Sequence, residues 1–139
     1  MVIYDGANYL GEDIDINLIT SSRPEGNDTI GLSYGIGDEN VTRAYKSEMN
    51  VNNVNIKIQN NQVLTTDYGD NLLVGLQQWG DKNQNTYFTS KGNLNIDIND
   101  KSDKAQYHAA AGIVFAGENG TKMTLNNSNI KIKSVADND

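Results

Sequence analysis

The sequence predicts an all-β protein of a particular kind, a right-handed parallel β-helix. This fold is a single-stranded β-solenoid, here with three strands per coil and about three to four coils. Three observations predict it: an apolar tetrad that returns along the chain, a glycine-containing block between its copies, and the composition. The chain has one proline, 13 glycines and abundant asparagine, and the stretches between turns are rich in Ile, Val, Leu and Thr. Such residues favour turns and strands over helices.

The tetrad alternates polar residues with isoleucines and occurs four times. Its copies are Asp13-Ile14-Asp15-Ile16, Asn55-Ile56-Lys57-Ile58, Asn95-Ile96-Asp97-Ile98 and Asn129-Ile130-Lys131-Ile132. They start at positions 13, 55, 95 and 129, which gives intervals of 42, 40 and 34 residues. Because side chains alternate across a strand, the isoleucines are expected to face the interior and the polar residues the solvent.

A second block with a central glycine lies between the tetrads. Its copies are Ile30-Gly31-Leu32, Val74-Gly75-Leu76 and Ala111-Gly112-Ile113, and a turn follows each, at 37–40, 80–83 and 117–120. A third, polar block then follows at 42–47, 86–90 and 121–126. Strict alternation predicts one buried face made of Leu72, Val74 and Leu76, and its counterpart made of Ala109, Ala111, Ile113 and Phe115. The three glycines are then expected on the outer face, with Leu73 and Gln77 in one copy and with Ala110 and Val114 in the next.

Equivalent blocks about 40 residues apart favour a solenoid over independent hairpins. The chain is expected to be one segment, 1–139, with repeats near 13–54, 55–94 and 95–128 and a partial repeat at 129–139. Stacking the tetrads in register predicts an outer column of alternating charge and a second outer column rich in asparagine. The first is Asp15, Lys57, Asp97 and Lys131; the second is Asp13, Asn55, Asn95 and Asn129. Surplus residues are expected in loops at 17–29 and 60–71, where solenoids often carry function.

The totals exclude several classes of partner. A net charge of −7 without a basic stripe argues against nucleic acid. No run of about 18 apolar residues is present, so membrane insertion by this segment is not expected. The absence of cysteine excludes a disulfide framework. The first residues, Met1 to Asp5, do not resemble a signal peptide, and the natural protein is expected to continue in both directions.

No catalytic, cofactor-binding or metal site is predicted, and no cofactor. Glu12, Asp13 and Asp15, and the acidic run at 97–103, are interpreted as a solvated outer ladder and an acidic turn. His108 is interpreted as a strand-end residue. Trp79, near Tyr87 and Phe88, is expected to cover a corner rather than to stack on a sugar. Acidic residues recur at the turn that follows the glycine block, and we call them the turn acids: Asp38, Glu39, Asp81 and Glu118. Stacked on one another they would form at most a weak calcium-binding column, which Lys82 interrupts.

The Asn-x-Ile repeats, the Gly-Asp/Glu-Asn turns and the cysteine-free composition resemble autotransporter passenger domains, the type V secreted surface proteins of Gram-negative bacteria. The resemblance extends over essentially the whole chain. It implies a cell-surface or extracellular location, attachment to the outer membrane through a C-terminal barrel absent from this sequence, and a role as adhesin or stalk. Its partner would be a protein or glycan receptor on another cell. Two alternatives stay open: part of a β-helical carbohydrate-active enzyme, such as a polysaccharide lyase or phage tailspike, and a free-standing toxin or effector module. Exposed solenoid ends also predict end-to-end self-association.

Overall fold

The computed structural model describes residues 1–4, 8–20, 29–36, 45–61, 70–80, 84–101, 107–117 and 120–134. Within these residues the regular elements are all β-strands. In chain order they are β1 Val2–Tyr4, β2 Tyr9–Leu10, β3 Asp13–Thr20, β4 Thr29–Ile36, β5 Tyr45–Val51, β6 Asn53–Asn60, β7 Asp70–Gly80, β8 Gln84–Asp100, β9 Tyr107–Gly117 and β10 Lys122–Ser134. The all-β class predicted from the sequence is confirmed.

These strands form two sheets in which every described pair is parallel. The smaller sheet has the order β1-β4-β7-β9, and the larger has the order β2-β5-β8-β6-β3, with β10 paired to β8. The chain passes from one sheet to the other and back, so that each strand pairs with its equivalent one repeat later. This arrangement is compatible with a β-solenoid.

The tetrads stack on the larger sheet, as the sequence predicts, with one correction. Ile56 lies opposite Ile96, and Ile96 opposite Ile130, on adjacent parallel strands. The first tetrad is displaced by two residues, because Asp15 pairs with Asn55 and Ile16 with Ile56. The expectation that Asp13 would lie opposite Asn55 was therefore wrong. A shift of two residues keeps every side chain on its own face, so alternation alone could not choose between the two registers.

The interior is built from columns of stacked side chains. In the larger sheet, the two tetrad columns and two further apolar columns contribute to one core cluster. The columns are Ile16, Ile56, Ile96 and Ile130; Leu18, Ile58, Ile98 and Ile132; Ile14, Val54 and Leu94; and Tyr9, Met49, Phe88 and Met123. Each inner repeat thus buries its apolar row against the repeats on either side, as expected of a stacked architecture.

The glycines of the smaller sheet face inward, which contradicts the sequence prediction. A Cβ added to Gly75 would lie 2.5 Å from Cγ2 of Ile96, and one added to Gly31 would lie 2.5 Å from Cγ2 of Ile56. Leu73 is fully buried in the core cluster, as is Leu76. In an uninterrupted strand these two leucines would point to opposite faces. The strand therefore changes its inward face between the glycine and the residue that follows it.

The same change of face explains the other errors in this sheet. Leu76 is buried in the core cluster as predicted, whereas Val74 is buried outside that cluster and Leu72 is only half-buried. In β9 it is Ala110 and Ile113 that pack against the core. Phe115, assigned to the buried face from the sequence, is 49% exposed.

Candidate functional site

The outer face of the larger sheet carries a column of stacked carboxamide side chains headed by a carboxylate. We call it the amide column: Asp15, Asn55, Asn95 and Asn129. Nδ2 of Asn55 donates to Oδ1 of Asp15 at 2.7 Å, and Nδ2 of Asn95 donates to Oδ1 of Asn55 at 2.8 Å. An asparagine can donate in one direction along the stack and accept from the other, so the strands of Asp15, Asn55 and Asn95 are linked by side chains as well as by backbone.

A second column lies two residues further along the same strands. We call it the charged column: Asn17, Lys57, Asp97 and Lys131. Asp15, predicted to start this column, belongs to the amide column instead, and the alternation of charge holds for the other three members. Within the described residues no ion pair involves these three exposed side chains. Their charges are therefore open to solvent or to a ligand.

A groove of about 480 Å³ runs between the two columns. Members of both columns line it, and Ile16, Ile56 and Ile96 lie between them along the strands. Its walls thus offer carboxamides on one side and alternating charges on the other, at the spacing of about 4.8 Å that parallel strands impose. Chemically, such a surface can exchange hydrogen bonds with a polar, extended ligand.

A further ladder on the outer face begins at Asp13. Nδ2 of Asn53 donates to Oδ1 of Asp13 at 2.8 Å, and Nδ2 of Asn127 donates to Oδ1 of Asn93 at 3.0 Å. Between them, Oδ1 of Asn53 accepts from the backbone N–H of Asn93 at 2.9 Å. Asp13 and Asp15 are therefore the first members of outer ladders, as the interpretation of an outer acidic ladder requires.

The acidic run at 97–103 was interpreted as one solvated turn, and this was wrong for its described part. Asp97 is exposed in the charged column, whereas Asp100 is fully buried at the end of β8. Asp100 accepts a hydrogen bond from Nδ2 of Asn60 at 2.9 Å, and Oδ1 of Asn60 accepts from the hydroxyl of Thr20 at 2.5 Å. This chain of polar groups is an inner ladder, which satisfies a carboxylate that burial would otherwise make costly.

The three aromatic residues that lie close together in the sequence, Trp79, Tyr87 and Phe88, have different environments. Phe88 is fully buried in the core, and Tyr87 is half-buried beneath Nζ of Lys46, which lies 5.3 Å from its ring centroid. Trp79 is 41% exposed, and that it covers a corner stays a prediction. An exposed indole is a surface that could contact a partner.

Two titratable groups have shifted pKa values. Burial raises the pKa of the Tyr34 hydroxyl well above its ordinary value, and a hydrogen bond with Ser47 opposes this shift in part. A hydrogen bond with Glu48 raises the pKa of the exposed Lys46, which forms an ion pair with the same carboxylate. Neither group would change its charge near neutral pH, and both lie outside the groove.

Several residues considered from the sequence fall outside the described part of the chain. They include the turn acids Asp38, Glu39, Asp81 and Glu118, and the side chain of His108. Most of both predicted loops, 21–28 and 62–69, also lies there. Among the residues that are described, no three His, Cys, Asp or Glu side chains are grouped so that they could hold a metal ion.

Comparison with known proteins identifies no relative: no family model matches the chain, and no similar curated protein or solved structure is found. A search of the described residues for a helix long and apolar enough to span a membrane also finds none.

Sequence reasoning missed the inner ladder and the ladder that starts at Asp13. Thr20, Asn60 and Asp100 follow one another at intervals of 40 residues, and Asn53 follows Asp13 at the same interval. A search for polar residues repeated every 40 positions, rather than for the tetrad alone, would have found both.

Proposed function

We propose that the chain is a right-handed parallel β-helix with three strands per coil and about three to four coils. Support comes from the parallel pairing of residues that are 40 positions apart in β3, β6 and β8. The bend at Asn52 divides β5 from β6. One strand of the smaller sheet, such as β4, together with β5 and β6 therefore makes three segments per repeat. Parallel strands of one sheet joined by a crossover almost always have the right-handed connection.

The function we propose is that of a non-enzymatic segment of a bacterial surface-exposed or secreted autotransporter passenger, acting as an adhesin or stalk. The observation that carries this proposal is the double linkage between repeats. Parallel backbone pairing is accompanied by side-chain ladders on the outer face, such as Asp15, Asn55 and Asn95. A column of repeats tied in this way forms a stiff polar rod, which suits a part that holds a binding region away from a cell surface.

An adhesin also needs a surface for its receptor. The groove between the amide and charged columns supplies hydrogen-bonding groups and exposed charges over several repeats. A protein or glycan receptor with an extended polar segment is the partner that fits it. Exposed Trp79 is a second contact point of the kind that sugars and proteins use.

Surface labelling tests this proposal. Antibodies raised against the chain should label intact cells of the source organism, and brief treatment of those cells with an external protease should remove the label. A periplasmic protein and a cytoplasmic protein serve as controls for intact envelopes. Labelling that occurs only after the cells are permeabilised would contradict a surface location.

The alternative function, part of a β-helical carbohydrate-active enzyme, would require catalytic carboxylates, and the groove contains two. Its two carboxylates, Asp15 and Asp97, lie two strands and two residues apart. At about 4.8 Å per strand and about 3.3 Å per residue, their Cα atoms are about 12 Å apart. Glycoside hydrolysis by two carboxyl groups uses separations of about 5–9.5 Å. Both side chains leave the same face of the sheet, so their carboxyl groups are spaced much as their Cα atoms are, and this spacing favours binding over cleavage.

A depolymerisation assay separates the two functions. The chain is incubated with neutral and acidic polysaccharides, and new chain ends are measured over time. The adhesin or stalk proposal expects no increase above that of the heat-denatured protein. Cleavage that is lost in Asp97→Asn and retained in Asn93→Ala would support the enzyme instead.

A further inference from the structure

The larger sheet has two free edges among the described strands. On one side β10 pairs only with β8, and on the other β2 and β3 pair only with β5 and β6. Each edge presents a row of backbone N–H and C=O groups to which another parallel strand could be added. We call them the tail edge, β10, and the head edge, 9–20.

The tail edge has apolar side chains that no neighbouring strand buries among the described residues. Ile130 and Ile132 are 43% and 41% exposed, although Ile96 and Ile98, in the same columns, are 1% and 0% exposed. At the head edge, Ile16 and Leu18 are half-buried in those same columns. One further strand on the tail edge would complete the burial that the inner strands already have.

The two edges carry opposite charges. The tail edge contains Lys122, Lys131 and Lys133 and no acidic residue. The head edge contains Glu12, Asp13 and Asp15 and no basic residue. All six side chains are exposed. The basic edge is notable in a chain with a net charge of −7.

We propose that the tail edge binds the head edge of a second copy of this chain, so that copies associate head to tail. Continuing the register found within the chain places Ile130 on Ile16 and Ile132 on Leu18 of the second copy. Lys131 then lies diagonally across from Asp15 of that copy, within reach of a long side chain. The inference goes beyond the proposed function, because it does not depend on where the protein is located.

Charge also selects the mode of association. Two tail edges would bring lysines together, and two head edges would bring carboxylates together, so like charges oppose both symmetric pairings. Head-to-tail pairing uses different surfaces on the two copies, and this kind of contact can repeat without closing. The expected product is therefore a series of short rods rather than a single dimer.

Sedimentation velocity across a concentration series tests the association. The wild-type chain at low salt should show a sedimentation coefficient that rises with concentration and spans several species. Raising the ionic strength screens exposed charges, so the rise should become smaller. A chain that remains monomeric at every concentration would overturn the proposal.

A charge exchange tests which surfaces meet. The acidic-tail variant carries Lys131→Glu and Lys133→Glu, and the basic-head variant carries Glu12→Lys and Asp15→Lys. Asp13 is left unchanged because its carboxylate accepts three hydrogen bonds, from the side chain of Asn52 and from the backbone and side chain of Asn53, whereas Asp15 accepts one, from Asn55. Each variant alone should bind itself at least about tenfold more weakly than wild type. An equimolar mixture should regain association, since the tail of each variant then meets a head of opposite charge.

Circular dichroism and thermal unfolding show whether both variants retain the fold. Lys91→Glu serves as a matched charge reversal on the inner strand β8, which forms neither edge. Lys91→Glu should associate like wild type. Folded variants that associate as strongly as wild type would overturn the proposal, as would a mixture that fails to recover. In a tail-to-tail dimer, the acidic tail of the variant would attract the basic tail of a wild-type chain. If the variant forms such dimers with the wild-type chain, and binds it more tightly than wild type binds itself, the symmetric mode is correct and the proposal is wrong.

Discussion

The two sheets of this protein differ in how closely their strands keep to simple alternation. In the larger sheet, β6 and β8 alternate inward isoleucines with outward polar residues over their whole tetrads. In the smaller sheet, β7 buries Leu73 and Leu76, which are three positions apart, and turns Gly75 toward the interior between them. One sheet is therefore a regular ladder, and the other is a ladder with a change of face at its centre.

The difference follows from how the two sheets meet. Three glycines of the smaller sheet face three successive isoleucines of one tetrad column: Gly31 faces Ile56, Gly75 faces Ile96, and Gly112 faces Ile130. A bulky column on the regular sheet requires room on the opposite sheet, and glycine provides it because it has no Cβ. The irregular sheet is thus shaped by the regular one.

Placing a side chain at Gly75 should have the largest effect on stability. In Gly75→Val, the new Cβ would lie 2.5 Å from Cγ2 of Ile96 and 2.7 Å from the backbone oxygen of Gly112. The backbone of a paired strand cannot move aside easily, so we expect a loss of about 3 kcal/mol in the free energy of unfolding, the upper end of what overpacking typically costs. Urea denaturation followed by circular dichroism measures it.

A double-mutant cycle with Ile96→Ala identifies the cause. Truncating Ile96 leaves a cavity and costs about 2–5 kcal/mol by itself. It also removes the nearest atom that the new valine would strike, so Gly75→Val should cost less in that background than in wild type. Equal costs in both backgrounds would show that the contact with the backbone oxygen of Gly112, and not the contact with Ile96, causes the loss.

The regular sheet was predictable because its pattern is redundant. Four copies of one tetrad give the strand type, the buried face and the partners of Ile56, Ile96 and Ile130. The change of face in β7 was not predictable from alternation, since a glycine leaves no side chain to show which way it points. The first tetrad's register was also undetermined, because Asp13 and Asp15 fit the outer face equally well.

Breaking the inner ladder should cost more than breaking the outer one. Asn60→Ala removes the carboxamide that bonds to both Thr20 and the buried Asp100, so we expect a loss of about 1–3 kcal/mol. Asn55→Ala is the matched control, since it removes an equivalent carboxamide from the partly solvated outer face. Water can replace its partners there, and the loss should be about 0.5–1.5 kcal/mol.

Urea denaturation of both variants under the same conditions gives the comparison. If Asn55→Ala proves as costly as Asn60→Ala, the outer ladder contributes to stability as a cooperative unit rather than as separate solvated pairs. In that case the stiffness argued for the stalk would rest mainly on the outer face.

The columns of the candidate site could be predicted only in part. The tetrads placed Lys57, Asp97 and Lys131 in one outer column, and that is where they lie. The burial of Asp100 could not be inferred, because a carboxylate three residues beyond Asp97 has the parity of the inner face but the chemistry of the outer one. Only the amide of Asn60, 40 residues earlier, makes its position understandable.

The smallest effect should come from reversing one charge in the charged column. Lys57 lies directly across from Asp97 on the neighbouring strand, and both side chains are exposed. Lys57→Glu replaces opposite charges with like charges, which across strands costs about 0.2–1 kcal/mol. The loss should shrink at high salt, where exposed charges are screened.

The control for this prediction is Lys91→Glu. It changes the net charge equally, at an exposed position of β8 whose residue has no partner in the described register. Thermal unfolding of both variants at low and high salt should therefore show a salt-dependent loss for Lys57→Glu alone. A loss of several kcal/mol, or equal losses for the two variants, would mean that Lys57 does not face Asp97 in the folded protein.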